Sequence, residues 1–348
     1  MAGKITLKQI AQHLGVAVST VSKALKNSNE ISQETKDRIL KYVNEVHYTP
    51  NHLAINLRQQ KTMTIGIIVP ELVHHFFSRV ISGVENQAGR YNYNVLISLS
   101  NDELDKERKI TEMLTNGYVD GLLVSVAKES FEKQQFDHFE KLLSQKFPLV
   151  FFDRAPINLP VSKVIIDDVA GGYQATRHLI EQGARRIAIL TTPRHISIGA
   201  DREKGYRKAL LEADMSIDES LILRIDESQS IRDQIKKLFN YPLRPDAIFA
   251  VNENYASFAL KEAYNRSLKV PDDLLIVGFT DGFISKATIP SLTTIAQHGF
   301  EMGQKAVDIL MEQIESGKYF EGQIVNIIPT NLIIRESSNQ QLHRPLLK

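Results

Sequence analysis

The chain has 348 residues, 43% of them hydrophobic and 24% charged, with no Cys and no Trp. That composition suits a globular protein of about two or three folding units. It excludes a disulfide scaffold, a thiolate metal site and a cysteine nucleophile, and no run approaches the ~20 apolar residues that span a bilayer.

The net charge of +1 conceals an asymmetry. Residues 1–61 carry nine Lys and Arg against four Asp and Glu, a balance of +5 that leaves the remainder at −4. A basic head on a mildly acidic body favours a polyanionic partner at the head alone. The N-terminus turns polar and helical at once, so no secretory leader and no membrane partner are expected, and the cytoplasm is the expected location.

Thr6-Leu7-Lys8-Gln9 reads as a capping box, and Leu7, Ile10, Ala11 and Leu14 follow at helical spacing. Gly15 suits a left-handed helix end. A second helix is expected to run to about Leu25, with Val21, Ala24 and Leu25 inward. Ser19, Ser22 and Lys23 then lie outward, with Val18 at the edge. A third helix opens at Ser32 and is expected to bury Ile39, Leu40, Val43 and Val46. Two short helices around a glycine turn, followed by a third, form a helix-turn-helix pattern. On the second helix Lys23 can reach guanine acceptors, Val18 a thymine methyl, and Ser19 a base edge or phosphate. The alternative is a plain three-helix bundle whose polar residues are merely solvated.

Tyr48-Thr49-Pro50-Asn51 then starts a helix of about two turns, with Thr49 to cap it and Pro50 at its first position. Leu53 and Leu57 share a face. So short a helix is unstable alone in water, which suggests folding coupled to binding.

From Met63 onward strands alternate with helices. Strands are expected at Thr64–Val69, Tyr93–Leu99, Gly121–Val124, Leu149–Phe152, Val164–Ile166, Ile187–Leu190, Ala247–Val251 and Leu274–Val277, and helices near Phe76–Arg90 and from Glu103. Short apolar strands between amphipathic helices indicate parallel sheets covered on both faces. Neither a Walker motif nor a dinucleotide fingerprint is present, and Gly183-Ala184-Arg185-Arg186 precedes a strand instead of following one. No nucleophile elbow or His-Glu-x-x-His occurs, so no catalytic residue is assigned and an enzyme is not expected. No cofactor is expected. Adjacent His74 and His75 are poor metal-ligand spacing, so no metal site is expected either.

The order and spacing of Thr6–Ala11, Gly15-Val16, Thr20–Leu25, Tyr48–Asn51, Leu57-Arg58 and Ile65–Pro70 resemble the LacI/GalR family of bacterial transcription regulators, over about residues 5–336. The resemblance implies an N-terminal all-α helix-turn-helix domain and an α/β core of two doubly wound parallel-sheet subdomains, like periplasmic binding proteins. The expected boundaries are 1–48 for the DNA-binding domain, 49–61 for a hinge helix, 62–340 for the core and 341–348 for a tail. Within the core, 62–164 with 296–328 form subdomain 1, and 165–295 with 329–340 form subdomain 2.

The family's positions imply base reading by Val18, Ser19 and Lys23. Thr20 and Ser22 fall where phosphates are held. Leu57 falls at a leucine that wedges into the minor groove, near Asn51; Thr6 and Arg58 complete the implied DNA surface. Where the family usually has Ser or Thr before Val18 this chain has Ala17, which removes a phosphate contact and about 1 kcal/mol of capping. For the core, the resemblance implies effector contacts from Asp153, Arg202 and Asn252 most clearly, with His75, Phe76, Thr280, Asp281 and Gln297 near the same strand ends. A carboxylate facing a guanidinium can grip several hydroxyls, and Phe76 can stack on an apolar face. Asp153 and Arg202 can instead form a structural bridge. Thr280 stands where the family often has Asp, so either Thr280 or Asp281 is the contact.

The function implied is a ligand-responsive, sequence-specific regulator of transcription, expected to be a repressor. It binds a pseudo-palindromic double-stranded operator as a homodimer, with Val73–Ala88 contributing to the dimer, and is switched by a small molecule. A sugar is favoured; a nucleobase, a nucleoside or a phosphorylated partner protein are the other options. The competing readings are a solute-binding protein and a sugar-processing enzyme.

Overall fold

The computed structural model describes residues 5–25, 27–46, 48, 61–156, 158–194, 196–316 and 323–339. The expected hinge helix, including Asn51, Leu57 and Arg58, therefore lies outside the described residues. The chain divides into two compact units, Met1–Thr62 and Met63–Lys348.

The first unit holds three helices: α1 (Leu7–Leu14), α2 (Val18–Leu25) and α3 (Gln33–Glu45). The capping box at α1 is complete. Thr6 Oγ1 accepts from the Gln9 amide, and Gln9 Oε1 accepts from the Thr6 amide at 2.8 Å. Gly15 ends α1 at φ 64°, where a side chain would be strained. Ser32 caps α3. Ile10, Ala11, Val21, Ala24, Ile39 and Val43 form the core. The buried stripe of α3 is Lys36, Ile39 and Val43; Leu40, expected inward, is exposed. It stands one residue, about 100°, off that stripe. Val46 is only half-buried, and Leu25 likewise.

The second unit contains twelve strands and ten α-helices among its described residues. Strands β1 (Thr64–Val69), β2 (Asn94–Leu99), β3 (Gly121–Val124), β4 (Leu149–Phe152), β5 (Ser162–Ile166) and β11 (Val325–Ile328) form one sheet, in the order β11-β5-β4-β3-β1-β2. Strands β6 (Ile187–Thr191), β7 (Ile222–Arg224), β8 (Ala247–Ala250), β9 (Leu275–Phe279), β10 (Thr293–Ala296) and β12 (Asn331–Ile333) form the other, in the order β12-β10-β9-β8-β6-β7. All pairings are parallel except β10 with β12. β1, β3, β4, β6, β8, β9 and β10 are almost wholly apolar or buried, as strands covered on both faces must be. Strands β7, β10, β11 and β12 were not expected; each mixes polar with apolar residues over three or four positions, unlike the continuous apolar runs of β3, β4 and β8.

In each sheet the order reverses beside its first strand, the switch-point arrangement of doubly wound folds. The chain passes between the sheets three times: after β5, after β10 and after β11. Two close helix pairs hold the layers. Helix α4 (His75–Arg90) packs on α13 (Gly299–Ser316), where a Cβ on Gly83 would meet the Phe300 carbonyl at 2.0 Å. Helix α8 (Asp168–Glu181) packs on α9 (Ser197–Glu212), where a Cβ on Gly172 would meet the Arg202 carbonyl at 2.3 Å. The remaining helices are α5 (Leu104–Thr115), α6 (Lys128–Glu132), α7 (Asp137–Ser144), α10 (Ile231–Leu238), α11 (Glu253–Asn265) and α12 (Phe283–Ala287). No helix among the described residues is long and apolar enough to cross a membrane.

Candidate functional site

In the first unit, α2 turns Val21 and Ala24 into the core, so its opposite side faces out. Val18, Ser19 and Lys23 are exposed there, with Thr20 and Ser22 half-buried beside them. Val18, 43% exposed among hydroxyls, can make apolar contact with a base. Lys23 Nζ is engaged by Glu30, an exposed pair that solvent screens and a stronger anion can displace. Ala17, which precedes α2, has no side chain that can cap it; its carbonyl takes the Thr20 amide at 2.9 Å. Thr6 is exposed, with both its hydroxyl and its amide directed to Gln9. Two supports escaped the sequence reading. Lys36 is buried with Nζ 3.0 Å from Asn27 Oδ1, and His13 stacks on Tyr42 at 4.2 Å between ring centroids.

In the second unit a cleft of about 140 Å³ lies at the carboxyl ends of the strands of both sheets. Glu71, His74 and Phe76 follow β1, Asp102 follows β2, and Asp153 and Arg154 follow β4. Thr192 follows β6, Glu227 follows β7, Asn252 follows β8, Thr280 follows β9 and Gln297 follows β10. Of the expected effector residues, Phe76, Asp153, Arg202, Asn252, Thr280 and Gln297 line this cleft.

His75 and Asp281 do not. They line a neighbouring cavity of about 480 Å³ with Arg79, Lys286 and Phe300. His74, extended at the N-cap of α4, faces the cleft in place of His75. Asp281 is held between Arg335 and Lys286, the latter at 3.3 Å. Thr280 takes the cleft side instead, its hydroxyl donating to Gln297 Oε1 at 2.7 Å.

A bridge between Asp153 and Arg202 was one option for this pair; the structure builds a different one. Arg202, 5% exposed, donates from Nε to Asp168 Oδ1 at 2.7 Å and from Nη1 to the Val251 carbonyl at 2.5 Å. Its guanidinium lies 3.5 Å over the Phe279 ring. Asp168 begins the helix that packs against the helix of Arg202, so it reaches the guanidinium from the same side of the cleft.

Among the described residues Asp153 has no ion pair within salt-bridge distance. It sits at φ 58° with Ser125 Oγ 3.4 Å away. Burial pushes its carboxyl up, against the pull of Arg154 and Arg202. Asn252 caps α11, its Oδ1 accepting from the Tyr255 amide at 2.8 Å. Thr192 lines the cleft, its buried hydroxyl without a hydrogen-bond partner among the described residues. Carboxylate, guanidinium, carboxamides and hydroxyls thus stand around one small space next to the Phe76 ring. That mixture suits a ligand whose groups both donate and accept, as polyol hydroxyls do.

The sequence reading missed Asp102, Lys128, Asp168 and Glu227. Asp102 Oδ1 accepts from Arg154 Nη1 at 2.7 Å and from the Lys128 amide at 3.0 Å. The Asn101-Asp102 pair directly after a strand was the available signal, because both tolerate the left-handed backbone they adopt. Beside them, the Glu71 hydrogen bond raises the His74 imidazole, and His74 in turn holds Glu71 down. Among the described residues, no group of three or more His, Asp or Glu is placed to hold a metal.

Residues 6–51 match the bacterial regulatory proteins of the lacI family, and residues 176–338 match the periplasmic binding protein-like domain. The chain is 32% identical to the HTH-type transcriptional regulator DegA of Bacillus subtilis strain 168, covering 97% of this chain and 98% of that one. It is 31% identical to the ribose operon repressor of Halalkalibacterium halodurans, covering 96% and 97%. It is 30% identical to the repressor CytR of Escherichia coli strain K12, covering 96% of each. Among solved structures, a complex of the transcriptional regulator CelR with cellobiose is similar at a TM-score of 0.71 and 27% identity, covering 96% of this chain and 100% of that one. The Lac repressor dimer bound to operator and the anti-inducer ONPF shares the fold, at a TM-score of 0.84 and 23% identity, covering 97% and 99%. The chain belongs to the lacI family of bacterial regulatory proteins.

Proposed function

We propose that this protein is a sequence-specific repressor of transcription that binds a pseudo-palindromic operator as a homodimer and is switched by a small neutral polyol, a sugar or sugar derivative, in the cleft. The observation that carries the DNA half is the exposed row Val18, Ser19 and Lys23 on the second helix of a capped helix-turn-helix. One such unit covers half a site, and a two-fold axis supplies the other half. Val18, Ser19 and Lys23 read bases, Thr20 and Ser22 hold phosphates, and Leu57 wedges into the minor groove near Asn51 and Arg58.

The ligand half rests on the ring of donors and acceptors at the strand ends, with Asp153, Arg202, Asn252 and Gln297 as principal contacts and Thr280 beside them. Ribose and cellobiose in the names of relatives support a sugar over a nucleoside. A DNA-binding module in the same chain favours a regulator over a solute-binding protein, and the relatives' names as transcriptional regulators favour it over an enzyme. A cytoplasmic location follows from binding chromosomal DNA. Residues 49–61 would serve as the hinge, and Val73–Ala88 would join the dimer.

The test couples the two sites. A thermal-shift screen against neutral sugars, sugar acids, sugar phosphates and nucleosides identifies a ligand, since one at about 100 times its Kd adds ~2.7 kcal/mol. Fluorescence anisotropy then measures operator affinity with and without it. A change in either direction supports the reading. A stabilising ligand that leaves operator affinity unaltered refutes it.

A further inference from the structure

Lys128 and Glu227 come from opposite sides of the cleft. Lys128 begins α6 on the side of the first sheet, and Glu227 follows β7 of the second. Lys128 Nζ is 3.1 Å from Glu227 Oε2 and 3.5 Å from Asp102 Oδ2. The other Glu227 oxygen accepts from the Tyr255 hydroxyl at 2.8 Å.

Each end is tied to a residue beside the ligand space. Asp102 also holds Arg154, next to Asp153, while Tyr255 also donates its amide to Asn252. Among the described residues this is the ion pair that joins the two sides of the cleft; Arg202–Asp168, Arg154–Asp102 and His74–Glu71 each stay on one side. Asp102 is shared between Lys128 and Arg154, and the lysine's hydrogen bond goes to Glu227, so Glu227 both balances the lysine and ties the subdomains together.

We infer that Lys128 and Glu227 form a strap across the mouth of the cleft, one that biases the two subdomains toward the closed arrangement before any ligand enters. A ligand entering from the mouth must first part this pair, and one already seated is held by it. Both side chains are partly exposed, 31% and 47%, so the strap is a bias and not a lock. Exposed pairs shift an equilibrium by a factor of about 1.5 to 5. Only the consequence for a ligand rests on reading this cleft as the effector site. The strap itself is tested without ligand or DNA, so its failure leaves that reading standing.

The full-length chain has no Cys, so spin labels attach only where cysteines are introduced. Lys141→Cys on α7 and Arg232→Cys on α10 place exposed labels on opposite sides of the cleft. Pulsed electron resonance then gives the distance distribution in the otherwise wild-type chain and with Lys128→Met, Glu227→Gln and both. Each single change is expected to enlarge the long-distance population about 1.5- to 5-fold, and the double change to add nothing further. Salt near 1 M, where the screening length is ~3 Å, should lengthen the distribution of the chain with both partners but not that of Lys128→Met. Unchanged distributions, or a double change equal to the sum of the singles, would overturn the strap. The salt titration stands alone should a variant fail to fold, and a salt-insensitive distribution in the chain with both partners overturns it equally.

Discussion

Arg202 and Asp168 face each other at 2.7 Å beside the cleft, the guanidinium buried and the carboxylate partly so, and this pairing leaves Asp153 open to a ligand. This division assigns different work to the two carboxylates. Asp168 orients Arg202, and Asp153 remains available to a ligand.

Removing Arg202 therefore affects more than ligand binding. Arg202→Ala leaves the partly buried Asp168 without its partner, a loss of about 1–3 kcal/mol for a desolvated polar group left unpaired. Thermal or urea unfolding should show this loss, together with an absent ligand response. A loss below about 1 kcal/mol would show that Asp168 does not depend on the guanidinium.

Asp153→Asn should behave in the opposite way. Its carboxyl is already pushed up by burial, so removing the charge relieves a cost near neutral pH. Stability should stay level or rise, while the ~2.7 kcal/mol that ligand adds at about 100 times its Kd disappears. Calorimetric unfolding with and without ligand checks both parts. A retained ligand shift would remove Asp153 from the site.

The Asp168 carboxyl predicts a pH dependence. Burial lifts it from an ordinary 3.8 to about 6, against the pull of Arg202. The folded protein thus holds this proton more tightly than the unfolded chain. The group's contribution to stability is fullest below about pH 4, falls as pH rises to about 6, and is flat above that. Melting curves of the wild-type chain and Asp168→Asn between pH 4 and 7 should differ in slope only in that window. Parallel curves throughout would contradict the lifted value.

How much of this is legible in the chain depends on how local each device is. Thr6 with Gln9, Gly15 and Ser32 act within three or four residues, so the helix-turn-helix can be read directly. Leu40 misleads because an apolar side chain one residue from a buried stripe looks the same in a list of residue types. Phe76, Asp153, Asn252, Thr280 and Gln297 are readable because each closely follows an expected strand or a subdomain crossing. Asp168, 34 residues before Arg202, is hidden because only the packing of α8 on α9 brings them together. His74 and His75 are adjacent, and only the start of α4 decides which one faces the cleft.

That helix packing makes its own prediction. Gly172→Ala places a methyl 2.3 Å from the Arg202 carbonyl, and backbone cannot swing aside as a side chain can. The helices must part, at about 1–3 kcal/mol as for overpacked cores. Unfolding curves should show that loss, and ligand affinity should fall with it because Arg202 moves. Unchanged stability would mean that the two helices do not approach so closely.

The most direct measurement is selection of the full-length protein on random double-stranded DNA, in parallel with Lys23→Ala. The expected result is an enriched two-fold-symmetric site for the wild-type chain. Lys23→Ala should bind it with preference relaxed at one position per half-site, a loss of ~1–3 kcal/mol there. No enriched sequence from a folded protein would contradict sequence-specific binding, and equal weakening on every sequence would contradict Lys23 as a reader of bases.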